Sequence, residues 1–148
     1  MAIRNIVKIG DPILRKTSRT VLNFDEKLHL LLEDMKDTLH EAQGVGLAAP
    51  QVGILRRICV VELDEDEGVI ELINPVIVEE KGEQHEVEGC LSIPDESGIT
   101  VRPMYVKVRA QNRNGETVFH EGEGLKARAF CHEIDHLNGI LYKDRLEK

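Results

Sequence analysis

The segment from Gly122 to Asn138 carries two apolar stripes at helical spacing, where a helix lying on a protein surface needs one. Phe130, Ile134 and Leu137 form the first, the side expected to face a core. Leu125, Ala129, His132 and His136 form the second, recurring at four, three and four residues. An apolar stripe that ends in two histidines is what a substrate pocket beside a metal requires. Gly139 terminates the helix.

The rest of the chain has to supply what packs around that helix. Asn23 to Gln43 reads as a second, N-terminal helix, with Leu28, Leu31, Leu32, Met35, Leu39 and Ala42 on one face. Asn23 and Glu26 resemble a capping box, and Gly44 sits where the helix stops. Between the helices the period changes. Residues 57–63, 69–73, 76–80, 84–88 and 99–111 are short, rich in Val and Ile, and separated by Gly, Pro and Asn, so they read as strands. Asn112 to Gly115 is a hairpin turn signal, and Ile3 to Ile9 reads as an edge strand ended by Gly10-Asp11-Pro12. The connections are too short for crossover helices. The expected fold class is therefore α+β, with mostly antiparallel sheets packed around the C-terminal helix. At 148 residues, with no repeat or linker-like stretch, residues 1–148 are expected to form one catalytic domain.

Composition narrows the function. Aromatic residues are 3% of the chain and tryptophan is absent, so the core is aliphatic and stacking platforms for single-stranded nucleic acid are missing. The formal charge of −8 argues against DNA and anionic membranes as partners. No apolar run is long enough to span a bilayer, and no apolar signal stretch opens the sequence. Cys59, Cys90 and Cys131 are an odd, widely spaced set, which reads as reduced thiols in the cytoplasm.

His132-Glu133-Ile134-Asp135-His136 is an HExxH sequence. Histidines four residues apart stand about 40° apart around a helix, so both imidazoles reach one metal ion, and Glu133 lies near enough to act as general base. A catalytic site of this type has three protein ligands and one position open to water. The twelve residues after His136 contain no His or Cys, so the third ligand is expected upstream. A zinc endopeptidase of the HExxH type, which would take that ligand downstream, is disfavoured on this ground. A closed structural metal module with four ligands is the other alternative. Cys90 is the best upstream candidate, because Glu88-Gly89-Cys90-Leu91-Ser92 is a glycine-flanked strand end; an inert thiol is the competing reading. Cys59 sits in the apolar run Ile58-Cys59-Val60-Val61 and reads as a core residue, while Cys131 points about 100° away from His132. Gly44-Val45-Gly46-Leu47-Ala48-Ala49-Pro50-Gln51 is dense in small residues, which signals close backbone approach.

Taken in order, Gly44 to Gln51, Glu88 to Ser92 and His132 to His136 resemble the three signature motifs of the peptide deformylases. The resemblance extends from Ile6–Arg15 to Gly139, and departs from the family at Cys131, where many members carry glutamine. It implies a metal-dependent hydrolase that removes the N-formyl group from N-formylmethionine of nascent polypeptides and releases formate. Carried over residue by residue, it makes Cys90, His132 and His136 the metal ligands and Glu133 the base that activates the attacking water. Gln51 and the backbone N–H of Leu91 face the developing oxyanion. The cofactor implied is one divalent cation, ferrous iron, Fe(2+), in the cell, with Zn, Ni or Co as isolated substitutes. Val45, Leu125 and Ala129 are expected to hold the methionine side chain, and the backbones of Gly46 and Gly89 to pair with the peptide. Arg102 is expected to fix the peptide or a carboxylate such as Asp135, an ordinary surface arginine being the alternative. The partners implied are nascent peptides in the cytoplasm, with room for a transient ribosome association.

Overall fold

The computed structural model describes residues 2–148. Two helices flank a five-stranded sheet. Helix α1 spans Glu26–Ala42 and helix α2 spans Leu125–Leu137. The strands are β1 (Gly46–Ala48), β2 (Ile58–Val61), β3 (Ile70–Lys81), β4 (Gln84–Cys90), β5 (Ile93–Arg102), β6 (Tyr105–Gln111) and β7 (Thr117–Glu123). The large sheet runs in the order β1-β2-β3-β6-β7, and β4 with β5 forms a separate hairpin; every pairing is antiparallel.

Strand β2 explains the layering. Its four residues are all buried, because successive side chains point to opposite faces and both faces are covered. Cys59 and Val61 join Phe130, Ile134 and Leu137 of α2 in one core. Ile58 and Val60 join Leu28, Leu32, Met35 and Leu39 of α1 in another. Helix α2 thus lies with its first stripe on the sheet, while the β4–β5 hairpin covers a second side of it through a salt bridge from Arg102 to Asp135. The α+β architecture with antiparallel sheets around α2 agrees with the sequence reading.

Several boundaries do not. Asp25, not Asn23, caps α1: its side chain accepts from the Leu28 N–H at 3.1 Å, and Gln43 rather than Gly44 takes the left-handed conformation that ends it. Residues 3–9 form no strand. Val7 donates to the Gln51 carbonyl and Ile9 to the Ser92 carbonyl, two different partners that cannot make a ladder. The segments 69–73 and 76–80 are one strand, β3, with a register shift at Asn74, whose φ is +52°. Its side chain is held by Val21 and Gln111. The segment 99–111 is in fact two strands in two sheets, separated at Pro103, which has no N–H for a ladder. Strands β1 and β7 carry too little alternation to be read beforehand. No helix among the described residues is long and apolar enough to cross a membrane.

Candidate active site

Helix α2 brings His132 and His136 to one face, and the β4–β5 hairpin brings Cys90 opposite them. The Cys90 Sγ and His136 Nε2 atoms are 3.4 Å apart, and the two histidine Nε2 atoms 3.2 Å apart. All three donor atoms lie within 4.8 Å of one another. Donors on one tetrahedral cation at ordinary bond lengths stand about 3.3 Å apart for N···N and about 3.6 Å for N···S. The Cys90–His136 and His132–His136 separations therefore match those expected around a single cation. Among the described residues no other such group of His, Cys, Asp and Glu occurs. Cys59 is buried in the α2–sheet core, as read from the sequence; Cys131 is buried there as well, and burial pushes its thiol up to about 12.

Each donor is held from behind. The Glu88 carboxylate accepts from His132 Nδ1 at 2.6 Å, which turns Nε2 toward the other donors. Burial alone would raise the Glu88 pKa; hydrogen bonds from His132 and Arg102 outweigh it and bring the pKa down to about 2. Thr100 Oγ1 donates to the same carboxylate at 2.9 Å. Arg102 bridges Glu88 and Asp135, and Arg145 reaches Asp135 from the C-terminal side. This network ties the hairpin to the helix. Of the two roles expected for Arg102, the structure contains the one toward a carboxylate: the side chain is 3% exposed, bonded to Glu88 and Asp135, and not among the residues that line the neighbouring cavity.

Glu133 is buried, and its Oε1 has no protein partner. Burial is the main cause that raises its pKa, to about 7, where a carboxyl exchanges protons readily at neutral pH. Its Oε2 lies against Gly46, where a Cβ would stand 2.5 Å away. Gly46 of the first motif is thus explained by the room that Glu133 needs, and Gly44 by the close approach of Leu91 and Leu39. His136 Nδ1 is likewise buried without a partner, and burial pushes the His136 pKa down, toward the neutral form that binds cations. Gln51 is buried: Oε1 accepts from the Ala48 N–H at 3.0 Å, and Nε2 donates to Ser92 Oγ at 3.0 Å and toward Cys90 Sγ at 3.6 Å.

A cavity of about 390 Å³ opens beside Glu133 and His132. Val45, Gly46, Gly89, Leu125 and Ala129, all singled out in the sequence, lie on its wall, as do Cys90 and Leu91. Val87 and Arg128 also line it and were not anticipated. The role of Glu88 was missed as well, although it stands two residues before Cys90, the spacing that puts two side chains on one face of a strand.

Comparison with known proteins bears on the same residues. The sequence model of the family described as Polypeptide deformylase matches residues 3–148. A peptide deformylase of Alkaliphilus metalliredigens is 58% identical over all of this chain and 99% of its own length. Peptide deformylase 1 of Bacillus subtilis is 49% identical over all of this chain and 92% of its own length. The crystal structure of peptide deformylase from Thermotoga maritima superposes with a TM-score of 0.96 at 43% identity, each chain covered completely. Sequence and fold agree over the whole length, so this chain belongs to the peptide deformylase family, the metal-dependent hydrolases that remove the formyl group from N-formylmethionine at the start of nascent polypeptides.

Proposed function

We propose that Cys90, His132 and His136 hold the cation, that Glu133 is the general base, and that residues 1–148 act as one catalytic unit. The observation that carries the reading is the convergence of the three donors beside a buried carboxyl with a free oxygen. When bound, the cation supplies Lewis acidity to water and to the formyl oxygen. Glu133 takes a proton from the attacking water as the new C–O bond forms, then delivers it to the methionine nitrogen as the C–N bond breaks. Formate and a free amine result. The Gln51 amide, by redirecting the N–H that now points toward Cys90 Sγ, and the Leu91 N–H donate to the charge that develops on the formyl oxygen. The methionine side chain enters the cavity between Val45, Leu125 and Ala129. The peptide lies extended between the edge of β1 at Gly46 and β4 at Gly89, two strands each with an unpaired side in the sheet order.

Ferrous iron in the cell is the reading that follows from the family resemblance, since one thiolate and two imidazoles accept Zn, Ni or Co as well. Three free cysteines support a reducing cytoplasmic setting. A nascent-chain substrate gives a reason for transient ribosome association.

The test is formate release from a formyl-Met-peptide by protein purified without oxygen, with metal analysis and a repeat assay after exposure to air. Glu133→Ala should keep its metal and lose turnover by at least about a hundredfold. Peptide-bond cleavage without formate, or an active Glu133→Ala, overturns the reading.

A further inference from the structure

Arg128 is the one cationic Lys or Arg side chain among the residues that line the cavity. It lies half-buried on α2, one residue before Ala129. Its Nε donates to Gln84 Oε1 at 3.0 Å and its Nη1 to the Val87 carbonyl at 3.0 Å. Gln84 is itself fixed, since its Nε2 donates to the carbonyls of Pro103 and Gly124. The guanidinium is therefore held in place at the rim, and the remaining three of its five N–H groups have no protein partner.

Three other cations around this helix have carboxylate partners. Lys126 pairs with Glu67, Arg145 with Asp135, and Arg102 with Glu88 and Asp135. Arg128 has no carboxylate partner, in a chain whose net charge is −8. An oriented, unpaired guanidinium beside a peptide channel is a recognition element for a carboxylate.

The position it reads follows from strand geometry, and rests on the assignment of the metal and methionine sites above. The formyl group lies by Cys90 and Leu91 and the methionine by Gly89, so the peptide leaves the metal along β4 toward Val87. Side chains of an extended peptide alternate, so the first and third point to the same side. With methionine first and in the cavity, the third residue emerges on the cavity side, level with Val87, whose carbonyl holds Arg128.

We infer that Arg128 is a specificity-determining residue that favours formyl-peptides with an aspartate or glutamate at the third position. The experiment compares kcat/KM for formyl-Met-Ala-Asp-Ala-amide and formyl-Met-Ala-Asn-Ala-amide, each ratio taken within one protein. The ratio should be about two- to fivefold in favour of Asp at low salt. It should fall toward one in 1 M NaCl, and in Arg128→Gln. Asp at the second position should give a smaller ratio, because that side chain faces away. A ratio at or below one in the unmodified enzyme, a ratio that persists in Arg128→Gln, or an equal ratio at both positions overturns the inference. Formate release with a ratio of one removes this inference alone. Absence of formate from the neutral peptide removes the site assignment and this inference with it. The salt titration needs no variant, so the outcome does not depend on Arg128→Gln folding.

Discussion

The Nδ1 atom of His132 lies 2.6 Å from Oε2 of Glu88. That bond fixes which imidazole nitrogen carries the proton and which is free to bind a cation. Loss of such a partner typically costs ten- to a hundredfold in metal affinity. Glu88→Gln keeps the shape and removes the charge, and Arg102 then keeps only Asp135 as a counter-ion. We expect a ten- to hundredfold weaker cation in chelator competition, with the helical circular dichroism unchanged. Unaltered affinity would show that Glu88 serves the fold and not the metal.

Gly46 marks how closely β1 approaches the general base. A Cβ there would stand 2.5 Å from Glu133 Oε2 and 2.8 Å from its Cδ. Gly46→Ala must therefore push the carboxyl aside, and displacements of about 1 Å in a reacting group cost about a hundredfold in rate. The expected result is a kcat about a hundredfold lower with metal content retained. A Gly46→Ala enzyme with native kcat would show that the Glu133 side chain moves freely.

Much of this site was legible in the sequence, for identifiable reasons. HExxH works within one helix, so spacing alone brings His132 and His136 together. The double stripe of α2 announced a cavity wall, and Leu125 and Ala129 are on it. Cys90 was singled out because Gly89 and the strand end left few alternatives. What depends on tertiary meeting stayed hidden. Nothing in a single strand shows that Glu88 will face a histidine 44 positions later, or that Arg102 will be buried by two carboxylates. Strand boundaries failed where one residue decided them: Asn74 bends a strand without ending it, and Pro103 divides one apparent strand between two sheets.

A second ion network should set the acid limit of stability. Arg113, in the β6–β7 turn, donates to Glu71 of β3 and to Glu33 of α1, and Lys36 also pairs with Glu71. The Glu71 pKa is lowered: burial opposes the charged form, but the hydrogen bonds from Arg113 and Lys36 outweigh it. Glu33 is lowered as well, chiefly by Arg113. A carboxylate whose pKa falls on folding stabilises the folded state fully above its unfolded value, about 4.3, and loses that contribution as pH drops through the folded value. The urea midpoint should hold from neutral pH to about pH 5 and fall below it. Arg113→Gln should cost about 1 kcal/mol at pH 7 and flatten the fall between pH 5 and 3. An unchanged acid slope in Arg113→Gln would place the acid sensitivity elsewhere.

Metal removal should loosen one part of the molecule before the rest. The donors come from two units that share no ladder: Cys90 from the β4–β5 hairpin, His132 and His136 from α2 on the five-stranded sheet. Apart from ion pairs and a few hydrogen bonds, such as those of Arg128 to Gln84 and Val87, the hairpin is fastened by a small core of Leu14, Ile93, Leu141 and Tyr142. A cation bound by both units is a clip, and at a hundred times its dissociation constant it stabilises the folded state by about 2.7 kcal/mol. Chelation should lower Tm and raise amide exchange selectively in residues 84–102. The exchange of β2 and of residues 70–73 of β3, which contribute to both buried cores, should follow only the global stability. Equal acceleration of the hairpin and of β2–β3 would mean that the cation stabilises the molecule as one cooperative unit, and that the ion pairs around Arg102 already hold the hairpin as firmly as the sheet.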